Sequence, residues 1–390
     1  MKRYLYKAIF EDLHDKMVFI GGPRQVGKTT LAKSIAREHF PRHMYLNWDH
    51  RADQKVIHEE RFDEEAALLI FDEIHKYRPW KNYLKGIYDT RNEQFRILVT
   101  GSARLDVYRK GGDSLMGRYR YFRLHPFSLA EAMECMHTMK PGSALAFPEP
   151  SKEGREMFDR LFHFGGFPEP FFKQDDKTLR RWQNERVDRL IREDIRDIEL
   201  IRDLSRLEIL VGMLPEKVGS LLSLNSMRED IGVTHVTLSR WMDMLERFYY
   251  HFRLRPFAAT HIKSLRKEPK LYLWDWSEAP SKAARFENMV ASHLLKFAHF
   301  LHDAEGYKID VFFLRDIEGR EADFLVTHDR TPWFAVEVKQ SDTAPSKQLR
   351  YFVEKLSIPF AYQVVAEHGI DFTKDGVRVM SGDVFLGGLV

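Results

Sequence analysis

The chain has 390 residues, a formal net charge of +3, 44% hydrophobic and 31% charged residues, and one cysteine. That length suits about two to four domains with cores of their own, and the lone Cys135 excludes a disulfide framework or a cysteine-based zinc site and fits a reducing cytosol. The near-balanced charge announces no global basic field, so any nucleic-acid surface must be local; no apolar stretch approaches membrane-spanning length, and MKRYLYKAIF lacks the apolar core of a signal peptide. The expectation is a cytoplasmic protein with no membrane partner.

Residues 17–36 read MVFIGGPRQVGKTTLAKSIA, which predicts a buried strand, a glycine-bounded loop and a helix. Gly22, Pro23, Arg24, Gln25, Val26, Gly27, Lys28 and Thr29 satisfy G-x-x-x-x-G-K-[ST] at every fixed position, and Thr30 completes the run. In that pattern backbone N–H groups wrap a phosphate at the positive end of a helix. The lysine reaches the β- and γ-phosphates, and the hydroxyl holds Mg²⁺. ATP and Mg²⁺ are the expected cofactors.

An apolar run over 66–71 ends in Asp72 and Glu73. This predicts a buried parallel strand with acids at its C-terminal tip, where open α/β sheets bind ligands. Asp72 is expected to help hold Mg²⁺, and Glu73 to orient or activate the attacking water. A third strand, 95–100, runs into Gly101 and Ser102. Thr100 or, in preference, Ser102 would touch the γ-phosphate or the water. Basic and apolar residues alternate over 118–124. Arg118 there is either an arginine finger reaching a neighbouring subunit's γ-phosphate or a solvated strand arginine.

This order of elements resembles the AAA+ ATPases. More narrowly it is similar to a prokaryotic branch written [ILV]-x-G-x-R-Q-[VT]-G-K-[ST] and then D-E-[IV]-[HQ], met here by GPRQVGKT and DEIHKY. The resemblance implies ATP hydrolysis and a homo-oligomer, possible as a hexameric ring, in which a finger acts between subunits.

Prolines 141, 148 and 150 break the chain before FHFGGFPEP at 162–170. That segment is either a turn between two helices or, by the resemblance, part of a helical lid near the nucleotide. Val187, Leu190, Ile191, Ile195, Ile198 and Ile201 recur at helical spacing and predict one long helix over 182–204.

Residues 221–256 predict a helix capped by Asn225 and Ser226, a tight turn at Gly232 and a second helix over 234–248. Val236, Leu238, Trp241, Met244, Leu245 and Phe248 would face the core, with Thr237, Ser239 and Arg240 near the free face. Strands over 249–257 and 271–276 then complete a winged helix. Arg240, Arg253, Arg255, Lys263, Arg266 and Lys267 are the candidate DNA contacts. The same shape also serves protein–protein contact.

The last segment predicts an amphipathic helix with Glu287 near its start, then strands over 310–314, 321–326 and 333–339. Glu337 and Lys339 are two apart on a strand and share a face, which is costly to bury without a task or partner. Asp323 and Glu337 would grip Mg²⁺ or Mn²⁺, Lys339 would position water or neutralise phosphate, and Glu287 would add a contact. D-x(13)-E-x-K behind a helix glutamate resembles the PD-(D/E)xK nuclease fold, including archaeal junction resolvases and Mrr-like restriction enzymes. The alternative is a structural or DNA-holding domain in which Glu337 and Lys339 are an ion pair.

The expected architecture is α/β: a P-loop AAA+ core (1–145), a helical lid and linker (146–205), a winged helix-turn-helix (206–276) and a restriction-endonuclease-like α/β domain (277–390). The expected function is an ATP-hydrolysing DNA-binding protein that remodels or translocates DNA, with branched DNA such as a Holliday junction as substrate. The alternatives are an ATP-gated signalling or defence switch with protein partners, and an ATP-regulated endonuclease.

Overall fold

The computed structural model describes residues 2–101, 115–135, 139–195, 203–258 and 267–390, so Ser102, Lys263 and Arg266 lie outside the described residues. The chain divides into two compact units, Lys2–His125 and Pro126–Val390. The boundary expected at 145 therefore falls inside the second unit, which also holds the segments expected as lid, winged helix and tail. Among the described residues no helix is long and apolar enough to cross a membrane.

The first unit runs α1 (Tyr6–Asp12), β1 (Met17–Gly21), α2 (Lys28–His39), β2 (His43–Asn47), α3 (Arg51–Glu59), β3 (Leu68–Asp72), α4 (Trp80–Arg91), β4 (Arg96–Thr100) and β5 (Tyr119–Arg123). Its sheet is parallel throughout, in the order β2-β3-β4-β1-β5. β1 and β3 are buried along their whole length. Met17 and Phe19 point into a cluster with Phe71, Trp80, Leu84 and Val99, while Val18 and Ile20, equally buried, point the other way. Continuous apolar runs are what a sheet covered on both faces requires. Because all five strands run the same way, Gly21, Asn47, Asp72, Thr100 and Arg123 end at one edge.

The second unit opens with α5 (Leu129–Ala132), α6 (Lys152–Phe164), α7 (Pro168–Lys173) and α8 (Asp176–Arg189). Gly165, at φ +75°, ends α6, and a Cβ on Gly166 would meet Phe127 O and Trp276 Cη2 at 2.5 Å each. The Gly-Gly segment is thus a close-packed turn between α6 and α7. The long helix expected over 182–204 begins earlier, capped by Asp175, and passes into a π-helical turn at Leu190–Ile195. That wider turn lets Leu190, Ile191 and Ile195 all point inward.

Next come α9 (Leu204–Met213), α10 (Leu224–Ile231) and α11 (His235–Arg247). The expected helix pair is present, but α10 starts at Leu224 after Ser223, ahead of the expected cap at Asn225 and Ser226. Gly232 makes the turn at φ +73°, and Thr234 caps α11 by accepting the Thr237 N–H at 3.2 Å. Leu238, Trp241, Met242 and Leu245 fill the core. Val236 does not: it is 64% exposed, because it lies one turn before the exposed Arg240 and off the Leu238–Trp241–Leu245 face.

The remaining elements are β6 (His251–Pro256), β7 (Lys270–Leu273), α12 (Lys282–Asp303), β8 (Ile309–Arg315), β9 (Glu321–His328), β10 (Thr331–Lys339), α13 (Lys347–Leu356), β11 (Phe360–Val365), β12 (Asp371–Lys374), β13 (Val377–Ser381) and α14 (Gly382–Gly387). β6 and β7 pair antiparallel, as a wing would, but β6 also pairs parallel with β8. The expected wing is therefore the edge of an eight-stranded sheet, β12-β13-β11-β10-β9-β8-β6-β7. Phe334 of β10 packs at a tilt against Phe297 of α12, while its neighbour Ala335 joins Leu349 and Phe352 of α13 in a separate cluster.

Candidate functional site

The nucleotide loop is built by conformations that few residues tolerate. Gly22 sits at φ +138°, and a Cβ there would lie 2.4 Å from Leu124 O; Gly27, at φ +97°, is the N-cap of α2. Both positions need glycine. The chain therefore leaves β1, turns through the loop and enters α2 with its first N–H groups free of helical partners. Lys28 opens α2, is 8% exposed, and folds its ammonium onto Gly22 O at 3.0 Å and Pro23 O at 2.6 Å.

Asp72 ends β3 beside that loop and is 6% exposed. Three hydroxyls converge on its carboxylate: Thr100 donates to Oδ1 at 2.6 Å, and Thr29 and Tyr45 donate to Oδ2 at 2.8 and 2.6 Å. Thr29 and Asp72, the expected Mg²⁺ pair, are thus brought together. Thr100 is the strand-tip hydroxyl that reaches this group. Tyr45 lies outside every motif in the sequence; its position on β2, next to β3, is what places it here. Burial and the hydrogen bond to Asp72 push its phenol well above the usual range.

Glu73 follows with φ +56° and anchors its N–H on Thr100 O at 3.0 Å. Burial pushes its carboxyl up, and Asp72 adds to this, while Lys28, Lys76 and Arg24 oppose it. Its Oε2 lies 3.4 Å from His75 Nε2 and 3.8 Å from Lys76 Nζ, without a hydrogen bond. A half-buried, strained acid whose Oε2 has ionic neighbours but no hydrogen bond is suited to hold a water. Arg118 precedes β5, whose first residue pairs with Met17, so it stands at the sheet edge opposite the loop. Its guanidinium is bidentate on Asp89, at 2.6 and 3.1 Å.

Of the candidate DNA contacts among the described residues, Arg240 and Lys267 are exposed and Arg255 is half-buried. Arg253 is turned inward: its guanidinium binds Glu246, and Asp243 at 2.7 Å. These ion pairs occupy its Nε and Nη2 donors, and the guanidinium is already neutralised by two carboxylates.

In the tail, Glu337 and Lys339 share a face and form an ion pair at 2.7 Å. Asp323 Oδ2 accepts the Val338 N–H at 2.9 Å. Glu287 Oε1 accepts from Tyr272 at 2.8 Å. Burial and the nearby Asp323 push Glu287 up to about 7 against Lys270, and push Glu337 up to about 7 against Lys339. Among the described residues no three His, Cys, Asp or Glu side chains are grouped to hold a metal ion. Thr29 and Asp72 lie within hydrogen-bond distance of each other, as a nucleotide-bound Mg²⁺ would need, whereas in the tail Glu337 Oε1 is held by Lys339 and Asp323 Oδ2 by the Val338 N–H.

Residues 14–133 match a family model described as an AAA domain. Residues 155–281 and 282–381 match two models described as domains of unknown function, DUF8612 and DUF4143. Uncharacterised proteins of Mycobacterium tuberculosis and Mycobacterium bovis are each 23% identical over 279 residues, 70% of this chain and 56% of theirs, so the match spans little more than half of their length. An uncharacterised protein of Methanocaldococcus jannaschii is 22% identical over 377 residues, 89% of this chain and 81% of its own. Among solved structures, the Thermotoga maritima RuvB Holliday junction branch migration motor is 17% identical, covering 68% of this chain and 93% of that one, at a TM-score of 0.31. Bacteroides Pif1 bound to ssDNA is 13% identical, covering 32% and 42%, at a TM-score of 0.22. Structural likenesses that loose bear on no functional point. The family match, the parallel sheet and the loop make residues 14–133 an AAA-type P-loop ATPase domain.

Proposed function

We propose that this protein hydrolyses ATP and uses the cycle to remodel or move DNA held by its second unit, branched DNA such as a Holliday junction being the substrate. The observation behind the ATPase reading is the convergence of Thr29, Thr100 and Tyr45 on Asp72, beside Glu73 and the loop. Loop N–H groups and Lys28 would bind the β- and γ-phosphates, the ammonium leaving Gly22 O and Pro23 O to do so. Thr29 and Asp72 would hold Mg²⁺, which when bound neutralises phosphate charge. Glu73 would orient the water and take its proton through Oε2, which makes no hydrogen bond. Arg118, away from its own subunit's loop, would serve a neighbour's γ-phosphate in a homo-oligomer, leaving Asp89 to do so.

The ATPase reading is tested with Glu73→Gln. Nucleotide binding should persist while turnover falls by about a hundredfold or more; normal turnover in that variant would remove Glu73 from the mechanism. Support for DNA comes from α10 and α11, joined at Gly232, with Arg240 on the free face of α11, and from Lys267, exposed just before β7. A second reading, the partner-gated switch, is favoured by one observation. The free face of α11 also presents the exposed Val236 and the part-exposed Asp243, a mixed surface that suits a protein as well as a phosphate backbone.

A further inference from the structure

Lys270 opens β7 with its side chain only 4% exposed. Its Nζ lies 2.6 Å from Glu321 Oε1, 3.4 Å from Glu287 Oε1 and 3.6 Å from Asp323 Oδ1. Three acids from α12 and β9 thus surround one ammonium brought by a strand from the preceding segment. The strand is pinned: Gly219 N–H donates to Leu271 O at 2.9 Å, Leu222 N–H donates to Pro269 O at 2.8 Å, and Leu221 bridges Lys270. Gly219 also walls the cluster, since a Cβ there would come within 3.0 Å of Glu287 Oε1. Burial alone would lower the Lys270 pKa, but the surrounding carboxylates hold it above the usual lysine range.

Buried acids need an opposite charge. In the nuclease fold that the tail resembles, a divalent metal supplies it. Here the chain supplies its own cation, and Lys339 does the same for Glu337. An ion held by the expected pair, Asp323 and Glu337, would share the Asp323 carboxylate with the Lys270 ammonium 3.6 Å away, and two like charges on one carboxylate with little water between them repel strongly.

We infer that Lys270 is the resident cation of the tail's acidic cluster, in the place of a divalent metal, so that the tail holds no catalytic metal and cuts no DNA. The tail is then a holding module. Its acids lie in one family segment, 282–381, and their counter-charge in the other, 155–281. Lys270 therefore also fastens the two segments together. This inference does not depend on the ATPase reading.

The test uses the full chain without nucleotide, titrated with Mn²⁺ and followed by the electron paramagnetic resonance signal of free ion. Wild type should show no Asp323-dependent site tighter than about 1 mM, and D323N should leave the isotherm unchanged. A tighter site lost in D323N would overturn the inference, as would Mg²⁺- or Mn²⁺-dependent cleavage of duplex or junction DNA that D323N abolishes. K270M removes the ammonium and keeps the apolar stem. It should gain a Mn²⁺ site at least about tenfold tighter than wild type, lost again in the double variant with D323N. A folded K270M that gains none would also overturn it. The wild-type titration stands even if K270M fails to fold.

Discussion

Asp72 accepts three hydroxyl hydrogen bonds, and only two of those hydroxyls come from segments with a motif. Tyr45 comes from the neighbouring strand, with its ring beneath Lys33 Nζ at 3.7 Å. We read it as a positioning residue that keeps the carboxylate aimed at the Thr29 hydroxyl. Tyr45→Phe removes one hydrogen bond to a charged group and should raise the Mg²⁺ concentration needed for half-maximal ATP binding by about tenfold. The readout is nucleotide binding titrated against Mg²⁺, with thermal melting to show the fold intact. An unchanged Mg²⁺ dependence would reduce Tyr45 to packing. The same scale shows what a sequence conceals. Lys28, Thr29, Asp72 and Glu73 were legible because their spacing follows from local chain geometry. Tyr45 and Lys270 were not, since each meets its partners only in the folded chain, Tyr45 across the β2–β3 pair and Lys270 against α12 and β9.

Whole elements were legible where one period dominates. The buried strands β1, β3 and β4, the helix pair at Gly232 and the two-residue spacing of Glu337 and Lys339 all follow from periodicity. Failures came where two patterns compete. Val236 is apolar but falls on the Arg240 face of α11, so composition and angle disagree and angle wins. β6 and β7 form a hairpin-like pair locally, and only β8, far along the chain, makes them a sheet edge. If α11 enters a DNA groove, Arg240→Glu combined with Lys267→Glu should weaken duplex binding and flatten its salt dependence by about two counterions. Arg253→Gln, with its donors already committed, should not flatten it. Fluorescence anisotropy at several salt concentrations measures both; an unaltered salt slope in the double variant would remove this face from DNA binding.

Two buried histidines set an acid limit on the second unit. His293 donates from Nδ1 to Met289 O at 2.7 Å and accepts the Leu129 N–H at Nε2 at 3.1 Å, which fixes it neutral. His251 donates to Met242 O at 3.0 Å. Burial lowers their pKa values, to about 3 for His293 and about 4 for His251. Because the folded pKa lies below the unfolded one, their stabilising contribution is complete above about pH 6.5 and is lost as pH falls toward those values. Each costs about 1.4 kcal/mol per pH unit in that window. Because the raised Glu287 and Glu337 carboxyls act in the opposite direction between pH 7.5 and 5.5, the readout is site-specific: side-chain NMR of the folded full chain should show both imidazole rings neutral at pH 5.5. A ring that takes up its proton in the folded chain above about pH 5.5 would contradict this reading.

At the scale of the whole molecule, an AAA-type domain is joined to a helical and β-sheet unit whose family segments have no assigned activity. The sequence announces the first plainly, because phosphate binding needs a short contiguous loop. It announces the second only as a resemblance, because the tail's acids are separated along the chain and their counter-charge comes from outside the segment that carries them. A DNA-holding tail without its own chemistry, coupled to nucleotide turnover, is the reading that joins the two.

The central claim is that ATP turnover is tied to DNA, and the direct measurement is the hydrolysis rate of the full chain alone, with plain duplex and with a four-way junction, each at low and high salt. The account predicts stimulation by DNA, strongest with the junction and weakened by salt. No stimulation and no binding with any DNA would contradict it and leave the partner-gated switch as the function.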